Sequence, residues 1–227
     1  MSNKKELFEL VNREMVIGVV REDTAEDGWH VAQAYARSGI RLVEITLTTP
    51  DALGVITRLL REFGDRGVVV AAGTVRNSND AASARRAGAS ILVSPHTAVP
   101  VLEYAAEHDL LGIAGAASPT EIIHAWESGA DIVKVYPALH LGGPAYIRTI
   151  RGPIRDVPML AGGPIPLEAI DSYLDAGAMA VNLGASLAVP DLVEGKSWDE
   201  IGRRALLARS IVRSRHSVEV DPESVVH

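Results

Sequence analysis

Eight short apolar runs punctuate the chain: 15–20, 42–47, 67–75, 91–95, 110–116, 131–137, 157–163 and 179–186. Each has the length of a strand, most are rich in Val and Ile, and each closes on Gly, Pro, Ser or Thr. Runs that stay apolar rather than alternating suit a parallel sheet covered on both faces. Amphipathic stretches with helix punctuation lie between them. "SNDAASARRAGA" offers Ser78 as an N-cap and Gly88 as a C-cap. "SPTEIIHAWESGA" offers Ser118 as N-cap, Pro119 in the first helical position and Glu121 in the third, a capping box. "IPLEAIDSYLDAGA" again ends at Gly177. The repeated "AGA" or "SGA" before a strand marks the turn of a β-α unit. Eight such units predict an α/β chain folded as one (β/α)₈ barrel domain over residues 1–227. An open doubly wound sheet is the runner-up, but no G-x-G-x-x-G follows the first strand. Residues 2–13 read as an extra helix closing the barrel bottom. From Ser214 a polar tail follows, either a frayed end or an arm on a neighbouring subunit.

One run contains a misfit. In "DIVKVYPA" a lysine, Lys134, stands between two valines. Side chains alternate along a strand, so Val133 and Val135 face the helices while Ile132, Lys134 and Tyr136 face the barrel interior. A buried ammonium is costly unless it is paired or loses its proton. Two readings stand: an ion pair with an inward carboxylate, or a neutral amine that attacks a carbonyl to give a Schiff base. The chain is sparing with lysine elsewhere, using it only at positions 4, 5 and 196.

Active sites of such barrels lie at the C-terminal ends of the strands. In "LVEITLTT", Glu44, Thr46 and Thr48 share one face, so Glu44 is an inward carboxylate able to pair with Lys134 or to shuttle protons. Arg21 ends the first strand, where it either clamps a carboxylate or is a surface arginine. Thr74 and Pro95 end two further strands, offering a hydroxyl and a rigid turn. Gly162, Gly163 and Ser186 end the last two, where these barrels bind phosphate, although Pro164 removes one N–H donor. His96 and His140 follow strand ends, His108 and His124 read as exposed helix positions, and no histidine spacing indicates a metal.

Composition narrows the classes. The chain has 227 residues, 47% of them hydrophobic, and a net charge of -7, which argues against a nucleic-acid surface. It has no cysteine, so disulfides and thiolate metal sites are excluded and a cytoplasmic address is expected. The first residues are too polar for a signal peptide, and no apolar run approaches a membrane span.

The motifs "VEITLTTP", "AAGTV", "GAASPTE", "VKVYPA", "GGPAYIRTIRGP" and "AGG…LGAS" resemble, in order and spacing, the bacterial 2-keto-3-deoxy-6-phosphogluconate (KDPG) / 4-hydroxy-2-oxoglutarate (KHG) aldolases. The resemblance runs from about Arg13 to Ala208. It implies a class I aldolase acting on a small keto acid, with no metal or other cofactor and a homotrimeric assembly. It implies Lys134 as the Schiff-base lysine and Glu44 as the proton shuttle. Thr74 and Pro95 would line the pyruvate half, and Gly162, Gly163 and Ser186 the phosphate end. The chain departs from the gluconate-type pattern at Thr48, where those relatives carry a carboxylate-binding arginine. Arg21 matches the arginine of galactonate-type relatives, which implies a relocated clamp. Ala161 and His96 are further departures, and together they leave the preferred substrate open. A phosphosugar isomerase or epimerase and a non-catalytic sugar-acid-binding barrel are the competing readings.

Overall fold

The computed structural model describes residues 3–218. Helix α1 (Asn3–Glu14) precedes β1 (Val16–Val20), α2 (Ala25–Arg37), β2 (Leu42–Thr46), α3 (Ala52–Phe63) and β3 (Val69–Gly73). Then come α4 (Ser78–Ala87), β4 (Ile91–Val93), α5 (Val99–Glu107), β5 (Leu111–Ala116), α6 (Pro119–Glu127) and β6 (Ile132–Val135). The chain continues with α7 (Gly143–Arg151), β7 (Met159–Gly162), α8 (Ile170–Asp175), β8 (Ala180–Leu183), α9 (Pro190–Glu194) and α10 (Trp198–Val218). The eight strands are all parallel and close into a barrel in sequence order, β8 pairing with β1. All eight strands fall inside the apolar runs of the sequence. The runs overshoot because burial continues past the ladder, as at Val75, which is buried two residues beyond β3.

Alternation splits the core in two. Val43, Ile45, Val70, Val133 and Val135 pack outward against the helices. Ile17, Leu42, Ala71, Ile91, Leu111, Ile113, Ile132 and Leu160 fill the barrel interior, and Leu7 and Val11 of α1 plug it from below. Each such fully buried aliphatic side chain contributes about 1.5–3 kcal/mol. The interior is therefore a dry apolar plug at the bottom, and polar side chains appear only in its upper tier.

Helix ends follow the expected chemistry with three corrections. The capping box of Ser118 and Glu121 forms in full, and Gly88 ends α4 in the left-handed region at φ 107°. Ser78 is not the N-cap of α4. Asn77 is, accepting from the Asp80 N–H at 2.9 Å, because its backbone is extended and its amide oxygen reaches the third helical N–H. The helix before Gly177 is shorter than its pattern, since Leu167–Ala169 form a 3₁₀ turn ahead of α8. The tail placed from Ser214 is helix as far as Val218, anchored by Arg215 to Asp171 at 2.9 Å and to Asp175 at 2.6 Å. The rest of that tail, 219–227, lies outside the described residues. Among the described residues no helix is long and apolar enough to cross a membrane.

Candidate active site

Three strands lift the polar side chains that meet in the upper tier. Glu44 is the third residue of β2, Lys134 the third of β6 and Asn182 the third of β8. All three are buried, at 1%, 8% and 3% exposure. The Lys134 Nζ stands 3.6 Å from Glu44 Oε2. The Asn182 Nδ2 donates to the same oxygen at 2.8 Å. A carboxylate only accepts, so the amide nitrogen is the atom that faces it. The hydrogen bond and the ion pair both fall on Oε2, so this oxygen is turned toward the lysine.

Glycine makes this crowding possible. A Cβ on Gly162 would come within 2.5 Å of Lys134 Cε, and one on Gly73 within 2.1 Å of Glu44 Oε1. Both glycines sit on strands, where a missing side chain signals a close approach. Gly162, expected at the phosphate end, thus borders the lysine stem. Gly163 follows it at φ 125°, a conformation that favours glycine.

Above the tier opens a cavity of about 620 Å³, whose walls include Lys134, Tyr136, Asn182, Arg21 and Gly163. Glu44 lies just beneath, behind Lys134 and Asn182. Arg21 reaches across the strand ends, donating from Nη1 to Thr48 Oγ1 at 2.9 Å and from Nη2 to Thr74 Oγ1 at 3.3 Å. Thr48 and Thr74 therefore join the site through Arg21. Thr74 holds a left-handed backbone, φ 59°, which is strained for a β-branched residue. Pro95 and His96 are exposed outside the cavity wall, and so is His140. The Ser186 Oγ is sealed from solvent and has no hydrogen-bond partner among the described residues, while its carbonyl accepts from Arg204 at 2.8 and 2.9 Å. Among the described residues no group of His, Asp and Glu is placed to hold a metal ion.

Sequence reasoning missed Asn182, Gly73 and the rim of the cavity. Asn182 reads as turn material in "NLGAS", yet it sits in an apolar run as Lys134 does. The same anomaly test would have found it. Glu22, in the loop after β1, is half-buried at the rim. Its carboxyl is pushed up from 4.5 to about 7, first by burial and then by Asp27 and Asp23.

Residues 8–204 match the family model described as KDPG and KHG aldolase. The chain belongs to this aldolase family. Aldolases of this kind are carbon–carbon lyases. The 2-dehydro-3-deoxy-phosphogluconate aldolase of Treponema pallidum is 35% identical over 184 residues, covering 81% of this chain and 86% of that one. A KDPG aldolase from Legionella pneumophila, with pyruvate captured as a covalent carbinolamine, superposes with a TM-score of 0.78 at 25% identity. That comparison covers 88% of this chain and 97% of the Legionella chain. A designed cage built by fusing symmetric oligomeric domains matches with a TM-score of 0.79 and 25% identity, over 92% of this chain and 77% of the cage chain.

Proposed function

We propose that this aldolase cleaves a 2-keto-3-deoxy sugar acid into pyruvate and an aldehyde through a Schiff base on Lys134. The observation that carries the reading is the buried Lys134–Glu44 pair, 3.6 Å apart, at the floor of an open cavity. The attacking form of the lysine is the free amine, and Glu44 is the group placed to take its proton. Lys134 Nζ adds to the C2 ketone to give a carbinolamine. Glu44 returns the proton to the carbinolamine hydroxyl, which leaves as water and gives an iminium, whose positive nitrogen draws electrons from the C3–C4 bond. Glu44 takes the C4 hydroxyl proton, directly or through water. The C3–C4 bond breaks, the aldehyde leaves, and its electron pair moves into an enamine. Glu44 returns the proton to C3, and water hydrolyses the resulting iminium to pyruvate and free Lys134. One carboxyl thus serves these proton steps.

In this proposal Arg21 binds the substrate carboxylate. Two of its five N–H groups are held by Thr48 and Thr74, which leaves a planar fork directed by the barrel mouth. The isomerase reading is not favoured, because that chemistry has no use for a lysine buried against the general base. A homotrimer in the cytoplasm completes the proposal. A solution mass of three 24.1 kDa chains and recovery in the cytosolic fraction check those two statements.

The function is tested by pyruvate release, followed with a coupled dehydrogenase, from a panel of 2-keto-3-deoxy acids and 4-hydroxy-2-oxoglutarate. We expect turnover of at least one, a loss of about 100- to 10,000-fold in Glu44→Gln, and a raised KM for pyruvate addition in Arg21→Ala. No pyruvate from any of them, or full activity in Glu44→Gln, rejects the reading.

A further inference from the structure

The charged lining of the Lys134 cavity is uneven. Its cationic side chains are Lys134 and Arg21, and among the described residues no other Lys, Arg or His lines it. The rest of its charged lining, from the loop after β1, the start of α2 and the end of α9, is Glu22, Asp23, Asp27 and Glu194. Under the aldolase proposal, on which this inference rests, both cations serve the keto-acid half. Lys134 takes the ketone carbon and Arg21 the carboxylate. No cationic side chain of the lining is then left for the half beyond the scissile bond, and the remaining charged groups are carboxylates.

Carboxylates accept hydrogen bonds from hydroxyls and repel a phosphate, which carries between one and a half and two negative charges at neutral pH, roughly. Of the loops that hold phosphate in related barrels, Gly163, Gly184 and Ala185 bring only uncharged backbone groups to the lining. Pro164 borders the cavity without an N–H, and the Ser186 hydroxyl is sealed away from it. These carboxylates do not form a metal site, since among the described residues no acidic group of that kind is clustered closely enough.

We infer that the aldehyde half of the substrate is an unphosphorylated, hydroxyl-bearing chain, selected by the carboxylate wall that Glu22 and Glu194 help to build. The raised proton affinity of Glu22, caused by burial and by Asp27 and Asp23, fits a wall crowded with negative charge. Such a wall admits a neutral ligand more readily than an anion.

The test runs the reaction in the direction of synthesis, with pyruvate saturating. Glyceraldehyde and glyceraldehyde 3-phosphate, each as both enantiomers, are compared by kcat/KM. We expect the phosphate-free acceptor to be preferred by tenfold or more. Glu22→Gln and Glu194→Gln should each move the ratio toward the phosphorylated acceptor by several-fold. The ratio is internal to each protein, so a change in the folded fraction cancels. Any smaller preference in the parent chain, or a ratio that neither substitution moves, overturns the inference. Borohydride trapping of pyruvate on Lys134 separates the two levels. With the adduct present and the ratio wrong, only the acceptor specificity falls. With no adduct, the aldolase reading falls first and this inference with it.

Discussion

Glu44 is held from two sides, and the side facing Asn182 has a consequence. Under the proposed function, the 2.8 Å hydrogen bond orients the carboxyl that moves protons. Removing it leaves Glu44 in place but free to rotate. Asn182→Ala should therefore lower kcat by about 100-fold, the scale expected for a misplaced reacting group, and change KM little. Steady-state kinetics on the cleaved acid check this, and an unchanged kcat would show that Lys134 alone sets the carboxyl's direction. Lys134 and Glu44 were legible in the sequence because a charge inside an apolar run is an anomaly, and strand alternation assigns it a face. Asn182 was passed over because an asparagine two residues before a glycine also describes a turn, although its place in an apolar run carried the same signal; the register of β8 shows it pointing inward.

At the scale of elements, the strands do more than carry the reacting groups. β3 and β7 yield space to them. Gly73 faces Glu44, and Gly162 faces the lysine stem. Gly162→Ala places a methyl group within 2.5 Å of Lys134 Cε, so the lysine must leave its position or the strand must shift. We expect a destabilisation of about 1–3 kcal/mol, typical of overpacking, with a larger effect on activity, about 100-fold or more. Thermal melts beside kinetics separate the two effects. Loss of neither would mean that the site tolerates the methyl, and an activity loss no larger than the loss of folded protein would mean that the strand, not the lysine, gives way. The sequence presented Gly162 as a phosphate-end residue and left Gly73 unremarked inside "AAGTV". Their structural role depends on which neighbour lies opposite, and that is set by the strand register rather than by local pattern.

The whole molecule balances a dry lower barrel against a charged mouth. Its closure, strand order and bottom helix were legible because each β-α unit repeats the same local signals. The pairing of Arg215 with Asp171 and Asp175 was not, since it joins α10 to α8 across 44 and 40 residues. The mouth leaves a signature in stability. Glu22 holds its proton more tightly in the folded chain than its ordinary 4.5, up to about 7, through burial, Asp27 and Asp23. Its contribution is fully present below pH 4.5 and is lost as pH rises through about 7. Glu22→Gln should therefore melt close to the parent in acid and above it at pH 8, as a Tm series across pH would record. A gap that stays constant with pH would contradict the crowded wall. The central claim concerns Lys134 and has a direct measurement. The folded chain is incubated with pyruvate and borohydride, its intact mass is read, and the modified peptide is mapped. We expect a gain of one reduced pyruvate on Lys134, absent in a folded Lys134→Met variant. No adduct, or an adduct on Lys4, Lys5 or Lys196 instead, would contradict the Schiff-base mechanism.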